Sequence, residues 1–473
     1  MYLSKLVPGG CLRFLIATWG NPWRVFDERE RRWKDFSWNP ITYQLLKDSA
    51  HESVESRSSL RLLYEYIKAD RNIIIVADTV AFKCEKKYED LKRHVRSMYE
   101  DFIERELGLR SRDFTIVVAP GVGRFNNGEF IGRAFDFYAI VFYELAKIFY
   151  ESISKLEEIE IHLDLTHGIN FMPVLTHKAV REIGEILALM SKNVRLVTYN
   201  SEPYVRGIER LNIHVIEDVR ARPTPPQKLI SRHFRPLNID VLGKDLDKRR
   251  FFEEVDNILG SIEGDGEGLR LKLSKLKSRL GSKLNALLGA LVNGLPLVLY
   301  TFYVSHQDIY TALKQLVKLY EGNIDIECNG TCEIKVERKC YFTSDFISLV
   351  KILLVTKILS LLGVEKKGEV SLEELDSLRE KLFTYSKRLD IMISNDLNEI
   401  RETIGKSNTR SLKDWRYLKD IFGGGGFDVR NFLAHSGLEC NITKVKVNTS
   451  IKLKYDEEQY NVILNNSIRG LEE

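Results

Sequence analysis

The stretch Glu160-Ile161-His162-Leu163-Asp164-Leu165-Thr166-His167-Gly168-Ile169-Asn170-Phe171-Met172-Pro173 decides the fold. It begins as an apolar, strand-like run, and Met172-Pro173 opens a helical pattern, since proline is at home in the first turn of a helix. A strand leading through a short turn into a helix is half of a βαβ unit. Outward from it, the same alternation predicts strands at 13–18, 72–78, 114–119, 194–199 and 212–216, with helices at 60–67, 88–107, 133–155 and 172–190. Ile73-Ile74-Ile75-Val76 is continuously apolar, as expected when helices cover both faces of a parallel sheet. Residues 1–217 therefore read as a doubly wound, Rossmann-like α/β domain.

The period then changes. Arg222-Pro223-Thr224-Pro225-Pro226 reads as a semi-rigid linker, assigned to 218–246. Residues 247–473 read as all-α, with helices at 249–262, 269–292, 297–319, 344–362, 372–393, 395–405 and 412–422. One interruption, at 323–342, carries Asn329-Gly330 between alternating apolar runs and predicts a small β-hairpin insertion in the helical domain. Cys328, Cys332 and Cys340 lie on it without an obvious fourth metal ligand, so free thiols or one bridge across the hairpin are expected rather than zinc. Residues 284–306 contain no Asp, Glu, Lys or Arg, but Asn293-Gly294-Leu295-Pro296 breaks them in the middle, which predicts a buried helix pair and no membrane span.

The 473 residues carry 71 Lys+Arg against 67 Asp+Glu, a net charge of +4. This excludes a bulk polycation, so any nucleic-acid contact must come from a local patch. Arg401, Lys406, Arg410, Lys413, Arg416 and Lys419 are one candidate patch. With 44% hydrophobic and 29% charged residues the chain is a folded protein, and its six cysteines point to a cytoplasmic location rather than a secreted disulfide scaffold. The short apolar run at 14–17, with Arg13 against it, is no signal peptide.

Ligands of an open parallel sheet bind beyond the carboxyl ends of its strands. Those positions hold Thr18, Trp19, Gly20 and Asn21 after the first strand and Thr166, His167, Gly168 and Asn170 after the fourth, beside a helix start that favours phosphate. Arg57 and Ser58 stand at a second helix start. A capped turn and simple N-capping are the plain alternatives. Gly121-Val122-Gly123 lacks the third glycine and the acidic residue of a dinucleotide fingerprint, which argues against an oxidoreductase. In the helical half, Arg430, Asn431 and His435 fall in Phe427-Asp428-Val429-Arg430-Asn431-Phe432-Leu433-Ala434-His435, where a helix sets Arg430 and His435 roughly on one side and turns Phe432 and Leu433 to the core. An imidazole beside a guanidinium suits metal-free RNA cleavage by 2′-hydroxyl attack. A structural pair is the alternative.

Together these features resemble the CARF–HEPN ribonucleases of type III CRISPR systems: an α/β domain with Asp164-Leu165-Thr166-His167-Gly168-Ile169-Asn170 is followed by a helical domain ending in Arg430-Asn431-Phe432-Leu433-Ala434-His435. The resemblance spans the chain in architecture. It implies a CARF domain binding a cyclic oligoadenylate, chiefly cyclic tetra-adenylate, across a homodimer or an assembly of homodimers. It also implies a HEPN endoribonuclease cutting single-stranded RNA with no cofactor and no metal. Carried over, Arg430, Asn431 and His435 are catalytic, and Thr166, His167, Gly168 and Asn170 lie in the ligand loop; nothing carries over to the cysteine hairpin. The rival is a ligand-sensing transcriptional regulator without nuclease activity, which needs a DNA-reading helix, for which 227–247 is the one place left. Positive potential is expected around Thr166–Asn170 and around Arg430.

Overall fold

In a computed structural model, Ile159–Asp164 lies inside an eight-stranded sheet. The structure describes residues 10–472 apart from 28–31, 47–51, 156–157, 191–192, 206, 232, 264–272, 329–332, 407–412 and 424. The strand order is Glu52–Ser56, Ile41–Leu45, Arg210–Arg220, Val194–Ser201, Ile159–Asp164, Leu12–Trp19, Arg71–Ala77 and Phe114–Ala119. The last five pair in parallel, and Arg210–Arg220 runs antiparallel to Val194–Ser201. Helices Ser59–Ile67, Tyr88–Glu106, Ala134–Ser152 and Met172–Leu187 pack on it. All six expected strands form. Ile73, Ile74, Ile75 and Val76 are buried on both faces, as their unbroken apolar run requires.

The chain folds as two compact units whose boundaries differ from the expected ones. One contains residues 1–222, 237–248 and 316–343; the other contains 223–236, 249–315 and 344–473. The hairpin therefore belongs to the α/β unit and not to the helical one. Ile324–Cys328 pairs with Ile334–Arg338, which adds in parallel to Gly128–Ile131, itself paired with Gly123–Phe125. Arg338 explains the placement. Its guanidinium is 1% exposed, ion-paired with fully buried Asp78, and donates to the carbonyl of Gly121 at 2.8 Å. Asp78 also accepts from the Gly121 N–H and the Tyr88 hydroxyl, each at 2.8 Å. A charge buried this deeply is tolerated only when paired and hydrogen-bonded.

Cys328 is disulfide-bonded to Cys84, with Cα atoms 6.1 Å apart, so the bridge ties the hairpin to the loop after Val80 instead of crossing it. Cys340 is a buried free thiol, and Cys332 lies outside the described residues. Among the described residues no three His, Cys, Asp or Glu side chains gather as a candidate metal group. The expected linker is also largely structured. Residues 218–220 finish the long strand, and Leu237–Ile239 pairs with Cys340–Phe342. Between them Asp345 accepts from Ser231 N, Ser231 Oγ and Arg235 N at 2.6–2.9 Å. Residues 227–247 hold a strand and a 3-10 turn, and no helix pair that could read DNA is found among those described.

The second unit is mainly helical: Leu273–Asn293, Pro296–Thr301, Ser344–Leu361, Leu372–Leu382, Lys387–Lys406, Val429–Ala434 and Tyr460–Ser467 are its principal segments. The charge-free stretch is a buried helix pair, broken at Gly294, where φ is +70°. Among the described residues no helix is long and apolar enough to cross a membrane. Two expectations change here. The break expected at 394 falls instead at the 3-10 turn Phe383–Tyr385, and beyond it one continuous helix, Lys387–Lys406, runs through. The helix expected at 412–422 is instead the short strand Arg416–Tyr417 followed by one turn, Lys419–Phe422. That strand joins Thr443–Val447, Ile451–Tyr455 and Val370–Ser371 in a four-stranded antiparallel sheet. Thr443, Val445, Leu453 and Tyr455 are its buried face.

Candidate functional sites

In the helical unit, Val429–Ala434 is a helix of barely two turns, started by Asp428, whose carboxylate accepts from Arg430 N at 2.8 Å. It stops because Ser436 and Gly437 both adopt positive φ, +50° and +80°. A Cβ on Gly437 would lie 2.8 Å from the Tyr455 hydroxyl, so the sharp stop needs glycine. His435 is thus the residue that ends the helix, with its N–H donated to Asn431 O at 2.9 Å. Phe432 is fully buried, as expected; Leu433 is only half-buried.

The ends of Arg430, Asn431 and His435 reach solvent, His435 at 53% exposure. Among the described residues the Arg430 guanidinium has no ion-pair partner. Below the imidazole lies a residue that nothing in the sequence singled out. Asp396, on the Lys387–Lys406 helix and 9% exposed, meets His435 Nδ1 at 3.2 Å and accepts from Ser436 Oγ at 2.5 Å. Burial raises the Asp396 carboxyl above its usual range, while the bonds from Ser436 and His435 oppose the rise. A cavity of about 260 Å³ opens beside them, lined by Asp396, Glu399, Asn431, His435, Leu418 and Glu439 among others. No Lys or Arg is among the described residues that line it; its charged lining is Asp396, Glu399 and Glu439, and Arg430 stands outside it.

The α/β unit carries a second cavity of about 540 Å³ beyond the carboxyl ends of its strands, lined by Trp38, Tyr43, Thr166, His167, Gly168 and Tyr204 among others. His167 is built in firmly. Its Nε2 accepts from Ser59 N at 3.3 Å and meets the Tyr43 hydroxyl at 3.2 Å, and its ring lies 4.1 Å from that of Trp38. Burial pushes its pKa down to about 3, so the imidazole is neutral. Asp164, also buried, accepts from Ser59 Oγ at 2.7 Å and Thr166 N at 3.0 Å and holds the turn. Any side chain on Gly168 would collide with Pro173 and Thr18 Oγ1.

The other sequence candidates divide. Thr166 lines the cavity and has a buried, unpartnered hydroxyl. Asn170, at φ +51°, is exposed outside the lining. Thr18, Trp19 and Gly20 are buried, Trp19 among Trp38, Tyr99 and Phe102. Asn21 caps a turn through Trp23 N, 2.9 Å away. Ser58 is a helix N-cap. Arg57 is occupied by Glu106 and Trp38 O, each 2.8 Å away, and by the face of Phe36. With Arg57 diverted, the described residues of the lining include Glu202 and neither Lys nor Arg, unlike the positive potential expected around Thr166–Asn170. Gly121 and Gly123 open no helix: Gly121 is bonded to Asp78 and Gly123 begins a strand.

A Rossmann-like domain with an aromatic-lined cavity at its strand ends, joined to a helical domain that presents Arg430, Asn431 and His435, defines a CARF–HEPN protein. Residues 14–203 match the family model for the CARF domain of the CRISPR system endoribonuclease Csx1, and residues 386–458 match that for its HEPN domain. The CRISPR system endoribonuclease Csx1 of Methanocaldococcus jannaschii is 33% identical over 462 residues, covering 93% of this chain and 88% of that protein. The chain belongs to the Csx1 family of CRISPR-associated endoribonucleases.

Proposed function

We propose that this endoribonuclease cuts single-stranded RNA without a metal ion and is switched on by cyclic tetra-adenylate bound to its CARF domain. The observation that carries the reading is the contact between His435 and buried Asp396 beside Arg430 and Asn431. A carboxylate accepting from Nδ1–H leaves Nε2 with its lone pair toward solvent. There it takes the proton of a substrate 2′-hydroxyl as the 2′-oxygen attacks the adjacent phosphorus. The 5′-oxygen leaves as a free hydroxyl, protonated by water or by the imidazolium just formed, giving a 2′,3′-cyclic phosphate. Arg430 stabilises the charge on the phosphorane, and Asn431 hydrogen-bonds the phosphate. Asp396 is a positioning residue: it fixes tautomer and ring direction and touches no substrate.

The sensor site suits a compact, base-rich ligand. Trp38 and Tyr204 offer ring surface for adenines, the Thr166 hydroxyl and neutral His167 offer hydrogen bonds, and the start of Met172–Leu187 offers the positive end of its dipole to a phosphate. Exposed Val174, Val215, Ile216 and Val219 support a homodimer through this unit. In this reading activator binding favours the arrangement that pairs two HEPN domains, and the enzyme works in the cytoplasm. The test is labelled single-stranded RNA incubated in EDTA with and without cyclic tetra-adenylate. Cleavage only with the activator is expected; cleavage that needs a divalent ion, or that ignores the activator, overturns the corresponding part.

A further inference from the structure

The outer face of the small C-terminal sheet is built against its own stability. Register places Lys444 opposite Lys454 and Lys446 opposite Lys452, and like charges directly across a strand pair are destabilising. Lys444 is answered by Asp456 at 3.0 Å, and Lys452 is ion-paired with Glu369. Lys446 and Lys454 have no carboxylate partner among the described residues; both lie over Trp415, at 5.9 and 4.7 Å from its ring centre. Lys419 and Lys444 flank Tyr417, each 4.8 Å from its centre. The Glu369 carboxyl is held below its ordinary range by Lys452 first, with Lys446 and Lys454 adding to the effect, which reports a positive surface. The sheet and the nuclease cavity share neighbouring segments: Leu418, which follows Tyr417, lines the cavity that contains His435, as does Cys440, three residues before the strand Thr443–Val447.

We propose that this face is the track on which the single-stranded RNA substrate is held, with Lys446 and Lys454 on phosphates and Trp415 and Tyr417 stacking on bases. It rests on the nuclease reading for the identity of the strand. It also resolves a difficulty of the site, whose carboxylate-lined cavity offers a polyanion little affinity. In this reading the cations that hold RNA lie on the sheet whose connecting segments line the cavity, and aromatic rings among lysines suit unpaired bases irrespective of sequence.

The test uses the full chain in a His435→Ala background, which binds without cutting. Anisotropy of an unstructured labelled RNA is followed between roughly 50 and 200 mM salt. Lys446→Gln with Lys454→Gln is expected to weaken binding about tenfold or more at low salt. The same pair should flatten the salt slope by about 1.4, at about 0.7 for each of two phosphates left without a lysine. Trp415→Leu is expected to weaken binding while leaving that slope in place. The double lysine variant should melt no lower than its parent, because it relieves repulsion. Unchanged affinity and slope, or equal binding of duplex DNA, would overturn the proposal. A wild-type chain that binds RNA through these lysines and never cuts it sinks the nuclease reading alone. One that cuts RNA with a KM unmoved by the lysine changes sinks the track alone.

Discussion

Asp396 Oδ1 lies 3.2 Å from His435 Nδ1, while the other oxygen of the same carboxylate is held by the hydroxyl of Ser436, the residue after the histidine. Two adjacent residues are thus fastened to one buried anchor, and Ser436 adopts φ +50° to allow it. Strain of that kind persists where the surroundings over-determine it. Asp396→Asn keeps the shape and permits the wrong tautomer. We expect kcat for RNA cleavage to fall roughly ten- to hundredfold with KM little changed, and the pH profile to be displaced. An unaltered profile in steady-state assays would reduce Asp396 to a structural contact.

His435→Ala should abolish cleavage while activator affinity, measured by calorimetry, stays intact, because the imidazole is half-exposed and no part of the α/β unit's cavity. Residual cutting at the parental rate would remove His435 from the chemistry.

Because burial holds His167 near pKa 3, it is neutral across the working range. Activator binding should therefore be flat between about pH 5.5 and 8, where an imidazolium–phosphate contact would tighten it toward acid. The same depressed value means the folded protein binds fewer protons than the unfolded chain below the ordinary histidine range, so this group's contribution to stability falls as pH drops from about 6.5 toward 3. His167→Ala together with Asn170→Ala should weaken binding in calorimetry; unchanged affinity moves the ligand site elsewhere.

Asp136, fully buried with Oδ2 unpartnered, is pushed up to about 7 by desolvation, against the Phe342 N–H bond and the nearby arginines. Its folded pKa lies above the unfolded one, so its contribution is complete below about pH 4 and is lost as pH rises through 7. Asp136→Asn should flatten the melting temperature between those limits; a parallel decline in both proteins would refute the assignment.

Arg338→Met leaves Asp78 buried and unpaired, a change worth about 3–5 kcal/mol. Adding Asp78→Asn should recover part of the loss in denaturant titrations, since the two sites share one interaction.

The α/β half was legible in sequence because parallel strands write themselves as continuous apolar runs, and strand-end logic placed Thr166, His167 and Gly168 in the cavity. Arg57 misled because a cation near a helix start says nothing about Glu106, brought to it from another helix. The C-terminal sheet was legible and missed. Thr443-Lys444-Val445-Lys446-Val447 and Ile451-Lys452-Leu453-Lys454-Tyr455 alternate strictly, with period two, inside a domain read as all-α, where no element was assigned to them. Asp396 had no local signal at all. Its role exists only because the short turn after His435 faces the Lys387–Lys406 helix. Likewise, nothing near the hairpin reveals that Arg338 answers a carboxylate 260 positions earlier.

That separation governs how the chain is made. During synthesis Asp78 leaves the ribosome long before Arg338, an interval on the order of tens of seconds at ordinary elongation rates. Until then the first unit lacks its final strands and holds a charge it cannot yet bury. Its completion is therefore late and not vectorial, and a fragment cut at residue 222 would present a sheet with its counter-ion missing, whatever the quality of its core.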